Sequence, residues 1–178
     1  MKIDNYSIFY FFDKFCIKMD NTKRKAITMN FEQDMDIILQ YAHYWNWLPD
    51  WITLQKVYSE FPDTYSILIP FAYSYLEEII RSTTSEYGIE LLDKKGNPQK
   101  RKIGKGLISL AKQENKNNHD YIKLLDEIKH HFNNSSIFDS GDNRNSVDHG
   151  YMHPINWTKD SFENLIHDIA IISPYSRF

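Results

Sequence analysis

Chemistry is concentrated in one short stretch, Arg144-Asn145-Ser146-Val147-Asp148-His149-Gly150, followed by Tyr151. It sets a permanently charged guanidinium beside an imidazole whose proton moves near neutral pH. Those two groups, with no thiol, metal cage or glycine-rich cradle, suffice for metal-free cleavage of RNA. His149 is suited to accept a 2′-hydroxyl proton or to protonate a departing 5′-oxygen. Arg144 is suited to clamp the phosphate and offset charge growing on a phosphorane-like transition state. Asn145 can orient the imidazole or donate to a phosphate oxygen.

A bare Arg–His pair at this spacing is close to what composition supplies by chance. This pair is set apart by Asn145 directly after the Arg, Gly150 directly after the His, and a place just before the last amphipathic helix. The plain alternatives are local. Arg144 has Asp139, Asp142 and Asp148 within reach, and His149 before Gly150 suits the C-terminus of a helix. Five residues on a regular helix turn through about 140°, so one helix does not aim both side chains at one point. Either Arg144 sits at the frayed start of a helix, or the pair is completed across a dimer.

The elements that must position this stretch read as helices. Phe31, Met35, Ile38, Leu39, Ala42 and Trp45 recur at spacings of three and four from Asn30 to Leu48, with Asn30 as N-cap and Pro49 as stop. Trp51 to Tyr58 reads as a short second helix. Thr64 to Tyr87 is the most apolar element, with Leu68, Phe71, Ala72, Tyr75, Leu76, Ile79 and Ile80 on one face. Its wet side is expected to carry Glu77, Glu78 and Arg81, Pro70 to kink it or mark a start near Ser66, and Gly88 to end it. Asp93 to Gly106 reads as a basic loop, in which Lys100, Arg101 and Lys102 are candidate contacts for an RNA backbone. Further stripes follow at Leu107, Ile108, Leu110 and Ala111, and at Tyr121, Leu124, Leu125, Ile128 and Phe132. Thr158 caps a final helix with Phe162, Leu165, Ile166, Ile169 and Ala170 inward, and Pro174 ends it. No segment alternates over a strand's length, so the expected fold is an all-α bundle of about five main helices.

With 178 residues the chain suits one domain with a sizeable core, taken as residues 30–178 behind an arm or short helix over 1–29. Six Gly and six Pro are few for an all-β protein, and twelve Tyr and eleven Phe favour a core and interfaces rich in flat rings. A net charge of −3 excludes a coat of positive charge for general nucleic-acid binding but leaves room for a basic groove. The lone Cys16 excludes an intramolecular disulfide and suits a reducing cytosol, and the protein is expected to be cytoplasmic. Tyr6 to Ile17 is interrupted by Asp13 and Lys14 and too short to span a bilayer, so no membrane partner is expected. Met19 and Met29 are alternative translation starts. His149 and His153 stand four apart, but Gly150 and Pro154 break a helix there and no third ligand has a recognised spacing. Neither a metal nor another cofactor is implied. His119, His130 and His131 read as polar helix faces, Glu77-Glu78 as an exposed or interhelical edge, and Trp45, Trp47 and Trp51 as core or dimer surface.

In this context the chain resembles the HEPN superfamily of small helical bundles, through Arg144-Asn145-Ser146-Val147-Asp148-His149 extended by Gly150 and Tyr151. The likeness spans the helical region from about Asn30 to Tyr175, and only the motif residues are specific. Tyr151 also matches the His-x-Tyr ending of HEPN toxins paired with nucleotidyltransferase antitoxins. Met152-His153-Pro154 and the separate helix beyond depart from those short toxins and lie closer to HEPN proteins of abortive-infection and related antiviral defence systems. The resemblance implies a metal-independent endoribonuclease acting as a homodimer, with two Arg144–His149 pairs facing one another, Asn145 and Tyr151 in support, and RNA as substrate. Products would carry 2′,3′-cyclic phosphate and 5′-hydroxyl ends, and an antitoxin or other regulatory partner would restrain the enzyme. The rival expectation is a non-catalytic HEPN-like module that binds a nucleotide or docks a partner. A weaker third is a metal-dependent hydrolase built on His149 and His153.

Overall fold

A computed structural model describes residues 31–178 of the chain. The expected arm over 1–29 and the Asn30 cap lie outside the described residues. Within them all regular structure is helical: α1 (Phe31–Tyr41), α2 (Leu48–Glu60), α3 (Tyr65–Ser82), α4 (Gly104–Glu114), α5 (His119–Ile128), α6 (Arg144–Asp148) and α7 (Lys159–Ile172). Short 3₁₀ turns join or extend several of them, and one isolated bridge pairs Leu92 with Pro98. The all-α expectation holds, with seven α-helices in place of about five. None of the described helices is long and apolar enough to cross a membrane.

α3 is the hub. It packs along α7, α1 also packs on α7, and α4 and α6 close onto α3. The buried residues form one continuous cluster, with Trp51, Tyr73, Tyr75, Tyr121, Phe132 and Phe162 its largest fully buried side chains. Trp51 stands edge-on to Tyr75 at 5.0 Å and to Phe71 at 5.1 Å, the arrangement that ring quadrupoles favour. Phe162 of α7 meets Tyr58 of α2 in the same way at 4.9 Å.

Three expectations need correction. α1 ends at Tyr41 and not at Leu48, because Pro49 falls in the first turn of α2 and opens that helix, where its fixed φ and missing N–H cost nothing. The intervening turn is closed by the amides of Trp47 and Leu48 on the His43 carbonyl, and it leaves Trp45 78% exposed, not inward. α3 ends at Ser82, well before Gly88. The hydroxyls of Ser82, Thr83 and Thr84 donate back to the carbonyls of Ile79, Ile80 and Arg81 at 2.7, 2.7 and 2.8 Å, satisfying the last turn locally. Finally, Glu77 and Arg81 are buried and do not face water. Pro70 is accommodated inside α3, which begins at Tyr65.

The Thr158 cap is as the sequence reads it, and Asn118 adds a second one. Thr158 accepts from the Ser161 amide to start α7, and Asn118 accepts from the Tyr121 amide to start α5. Gly141, just ahead of α6, has φ +92°, and a Cβ there would lie 2.9 Å from Trp157 Cβ and 3.1 Å from Ile69 Cδ1. Both the backbone angle and the closeness of α3 require glycine. Gly141→Ala is expected to cost about 2–4 kcal/mol, read as a fall in the denaturation midpoint at constant m-value.

Candidate active site

The motif folds as a separate five-residue helix, α6, sealed at both ends. Asn143 caps its start, its side-chain oxygen accepting from the amides of Asn145 at 2.9 Å and Ser146 at 3.3 Å. Its finish is a Schellman closure. Gly150 takes φ +62°, its amide reaches the Val147 carbonyl at 3.2 Å, and the Tyr151 amide reaches the Ser146 carbonyl at 2.9 Å. Gly150 thus has a backbone reason for following His149. Ser146 and Val147 anchor the helix inward, and the Ser146 hydroxyl donates to the Asp139 carboxylate.

Arg144 occupies the first helical position, as one of the two options from its spacing requires. Its guanidinium turns to two carboxylates. Nε lies 2.8 Å from Asp148 Oδ2, off the line of a hydrogen bond, and Nη2 lies 3.4 Å from Glu77 Oε2. The side chain is only 14% exposed. The Asp148 partner was among the plain alternatives; Glu77, sixty-seven positions away, was not. Glu77 also accepts from the Gly104 amide at 3.0 Å, so one buried carboxylate joins α6 to the first residue of α4 and to the end of the basic loop.

Asn145 donates to the Asn133 carbonyl at 2.8 Å and accepts a long contact from Arg144 Nη1 at 3.5 Å. It therefore positions the Arg144 end of the helix and does not orient the imidazole. His149 caps the C-terminus of α6, is exposed, and has no side-chain hydrogen bond or ion pair among the described residues. Tyr151 is 54% exposed. Arg144 and His149 are thus presented at opposite ends of one helix with no hydrogen bond between their side chains. His153 accepts from the Ile155 amide at the head of a 3₁₀ turn.

Burial raises the Asp148 carboxyl above the usual carboxylate range; Arg144 opposes the rise, Glu77 adds to it and His149 opposes it. The folded state then holds the Asp148 proton more tightly than the unfolded chain does. Its ionised form costs stability near neutral pH, and the cost fades as pH falls through the folded-state pKa. Asp148→Asn is expected to melt at or above the wild-type temperature at pH 7, the difference closing towards pH 4. A clear drop at pH 7 would show instead that the Arg144 pair outweighs the burial.

In the basic loop, Arg101 donates to the Ile89 carbonyl at 2.6 Å. The Lys102 amide donates to Glu86 at 2.7 Å, and its carbonyl accepts from Arg81 at 3.1 Å. The backbone is pinned while Lys100, Arg101 and Lys102 remain exposed.

Comparison with protein-family models, curated proteins and solved structures finds no match for this chain.

One polar assembly escaped the sequence reading. His131, expected on a polar face, is 1% exposed and lies between Tyr73 of α3 and Asp168 of α7. Beside it His167 meets both oxygens of the buried Asp34 at 3.1 Å, a contact that raises the imidazole pKa. The available signal was Asp168 itself, which sits one turn after the inward Leu165.

Proposed function

We propose that this all-α chain is a HEPN-like endoribonuclease that cleaves RNA without a metal, using Arg144 and His149 from two copies. The observation that carries the reading is the state of His149. It is an exposed imidazole at the end of a helix sealed by its own caps; it makes no side-chain hydrogen bond or ion pair among the described residues, and the adjacent Asp148 reaches it only through charge. A general acid or base needs that freedom to meet the 2′-hydroxyl or the leaving 5′-oxygen. Arg144 supports it as a held, preorganised guanidinium, and Glu77 links that guanidinium to the end of the Lys100–Lys102 loop. Because Arg144 turns towards Glu77, a composite cleft between two protomers supplies what a single copy lacks. Ile137 and Phe138 before the motif and Ile155 after it are 64%, 86% and 82% exposed, apolar surface suited to such a contact.

A second reading has its own observation. The two carboxylates on Arg144 outweigh its charge locally, which suits a strut better than an anion clamp. On that reading the chain is a docking module, with HEPN-like architecture and no chemistry. Incubating the purified protein with RNA in EDTA, and analysing fragment ends, separates the two. Fragments with 2′,3′-cyclic phosphate and 5′-hydroxyl ends support the nuclease; RNA left intact by the dimeric protein supports the docking module.

A further inference from the structure

The cleft between the end of α5 and α7 holds a set of donors that the Arg144–His149 site does not use. His130 Nδ1 lies 2.8 Å from the Glu127 carbonyl. A carbonyl only accepts, so this nitrogen carries the ring proton, and a neutral His130 directs a lone pair from Nε2. At His131 the same tautomer follows by a longer route. Tyr73 gives its one hydroxyl proton to the Gly141 carbonyl at 3.1 Å, which leaves its oxygen an acceptor towards His131 Nδ1 at 3.2 Å. A neutral His131 then also directs a lone pair from Nε2.

Both lone pairs converge on one carboxylate oxygen. Asp168 Oδ2 lies 2.7 Å from His131 Nε2 and 4.0 Å from His130 Nε2, and the three atoms all fall within 4.8 Å of one another. The rings lie 4.0 Å apart between centroids. Electron-rich atoms held this closely need a positive species among them, and a metal ion can take the place of the proton that otherwise bridges His131 Nε2 and Asp168. Each imidazole is also fixed from behind by a hydrogen bond at Nδ1, the outer-shell arrangement that orients metal-binding histidines.

We infer that His130 Nε2, His131 Nε2 and Asp168 form a binding site for a divalent transition-metal ion of the zinc class. Two imidazoles and a carboxylate match the nitrogen and oxygen ligands of zinc, and three protein ligands leave one position for water or another small ligand. That open position faces a cleft of about 310 Å³ bordered by Asp142, Ser161, Asn164 and His167. A tetrahedral ion with ligands at about 2.0 Å sets them roughly 3.3 Å apart. Asp168 and the exposed His130 would close or open by up to about 1.5 Å to meet it, while the buried His131 stays. The ion would pin the turn after α5 to α7. This site is independent of the Arg144–His149 chemistry.

The test uses the full chain stripped with EDTA and titrated with ZnCl2 by calorimetry, and with CoCl2 by visible absorption. The wild type should bind a single zinc ion and develop the strong d–d bands of low-coordinate cobalt. His130→Ala, which removes an exposed ligand without disturbing the core, should weaken zinc at least about 10–100-fold and abolish the bands. Asp168→Asn should do the same, and His119→Ala, outside the cleft, should leave both unchanged. The inference is overturned if the wild type binds no more zinc than His130→Ala, or if His119→Ala weakens binding equally.

Discussion

His149→Ala should lower the rate of RNA cleavage by at least about 100-fold while leaving the melting temperature unchanged. The magnitude is that of a lost general acid or base. The unchanged stability follows from exposure and from the absence of a side-chain hydrogen bond or ion pair, since such surface positions usually alter folding by less than about 0.5 kcal/mol. The backbone role of this position, receiving the helix end before Gly150, survives the change to alanine. Arg144→Ala should also stop cleavage, but it unpairs Glu77 and Asp148 and so lowers stability as well. The two variants therefore differ in a second measurement, thermal melting. Retention of full cleavage by a folded His149→Ala protein would remove His149 from the chemistry and leave the docking module as the better reading.

The residues that were legible in advance share one property: their partners are close in sequence. The helical stripes at Tyr121, Leu124, Leu125, Ile128 and Phe132, and at Phe162, Leu165, Ile166, Ile169 and Ala170, are all buried as their spacing requires. The cap at Thr158 acts within one turn. Pro49 was legible as punctuation but not in its sense, because a proline ends one helix or begins the next according to what precedes it. Glu77, Arg81 and His131 were not legible. A charged or polar residue on an apolar helix reads as solvent-facing unless its distant partner is known, and those partners are contributed by Gly104 and Arg144, by Lys102, and by Tyr73 and Asp168. Within the candidate site the five-residue spacing offered a helix start as one of two options for Arg144, whereas the tie from Arg144 to α3 depended on tertiary packing.

Glu77→Ala should be the most destabilising single change near the site, by about 3–5 kcal/mol, lowering the melting temperature by on the order of 10 °C. The carboxylate is 10% exposed and serves two elements at once. Its loss strands the Gly104 amide at the buried start of α4, and it leaves the Arg144 guanidinium, itself 14% exposed, with Asp148 alone. Unpaired buried donors incur the full cost of desolvation, whereas replacing both members of such a pair by apolar groups incurs much less. Glu77→Gln should fall between the extremes, because its amide oxygen still accepts from Gly104 while the charge opposite Arg144 is gone. A double-mutant cycle combining Glu77→Gln with Arg144→Met isolates that charge, with an expected coupling of about 1–3 kcal/mol. A coupling near zero would mean that Glu77 works through the Gly104 amide alone. Arg144 would then be held by Asp148 within its own helix, free of α3, and better able to swing towards a phosphate.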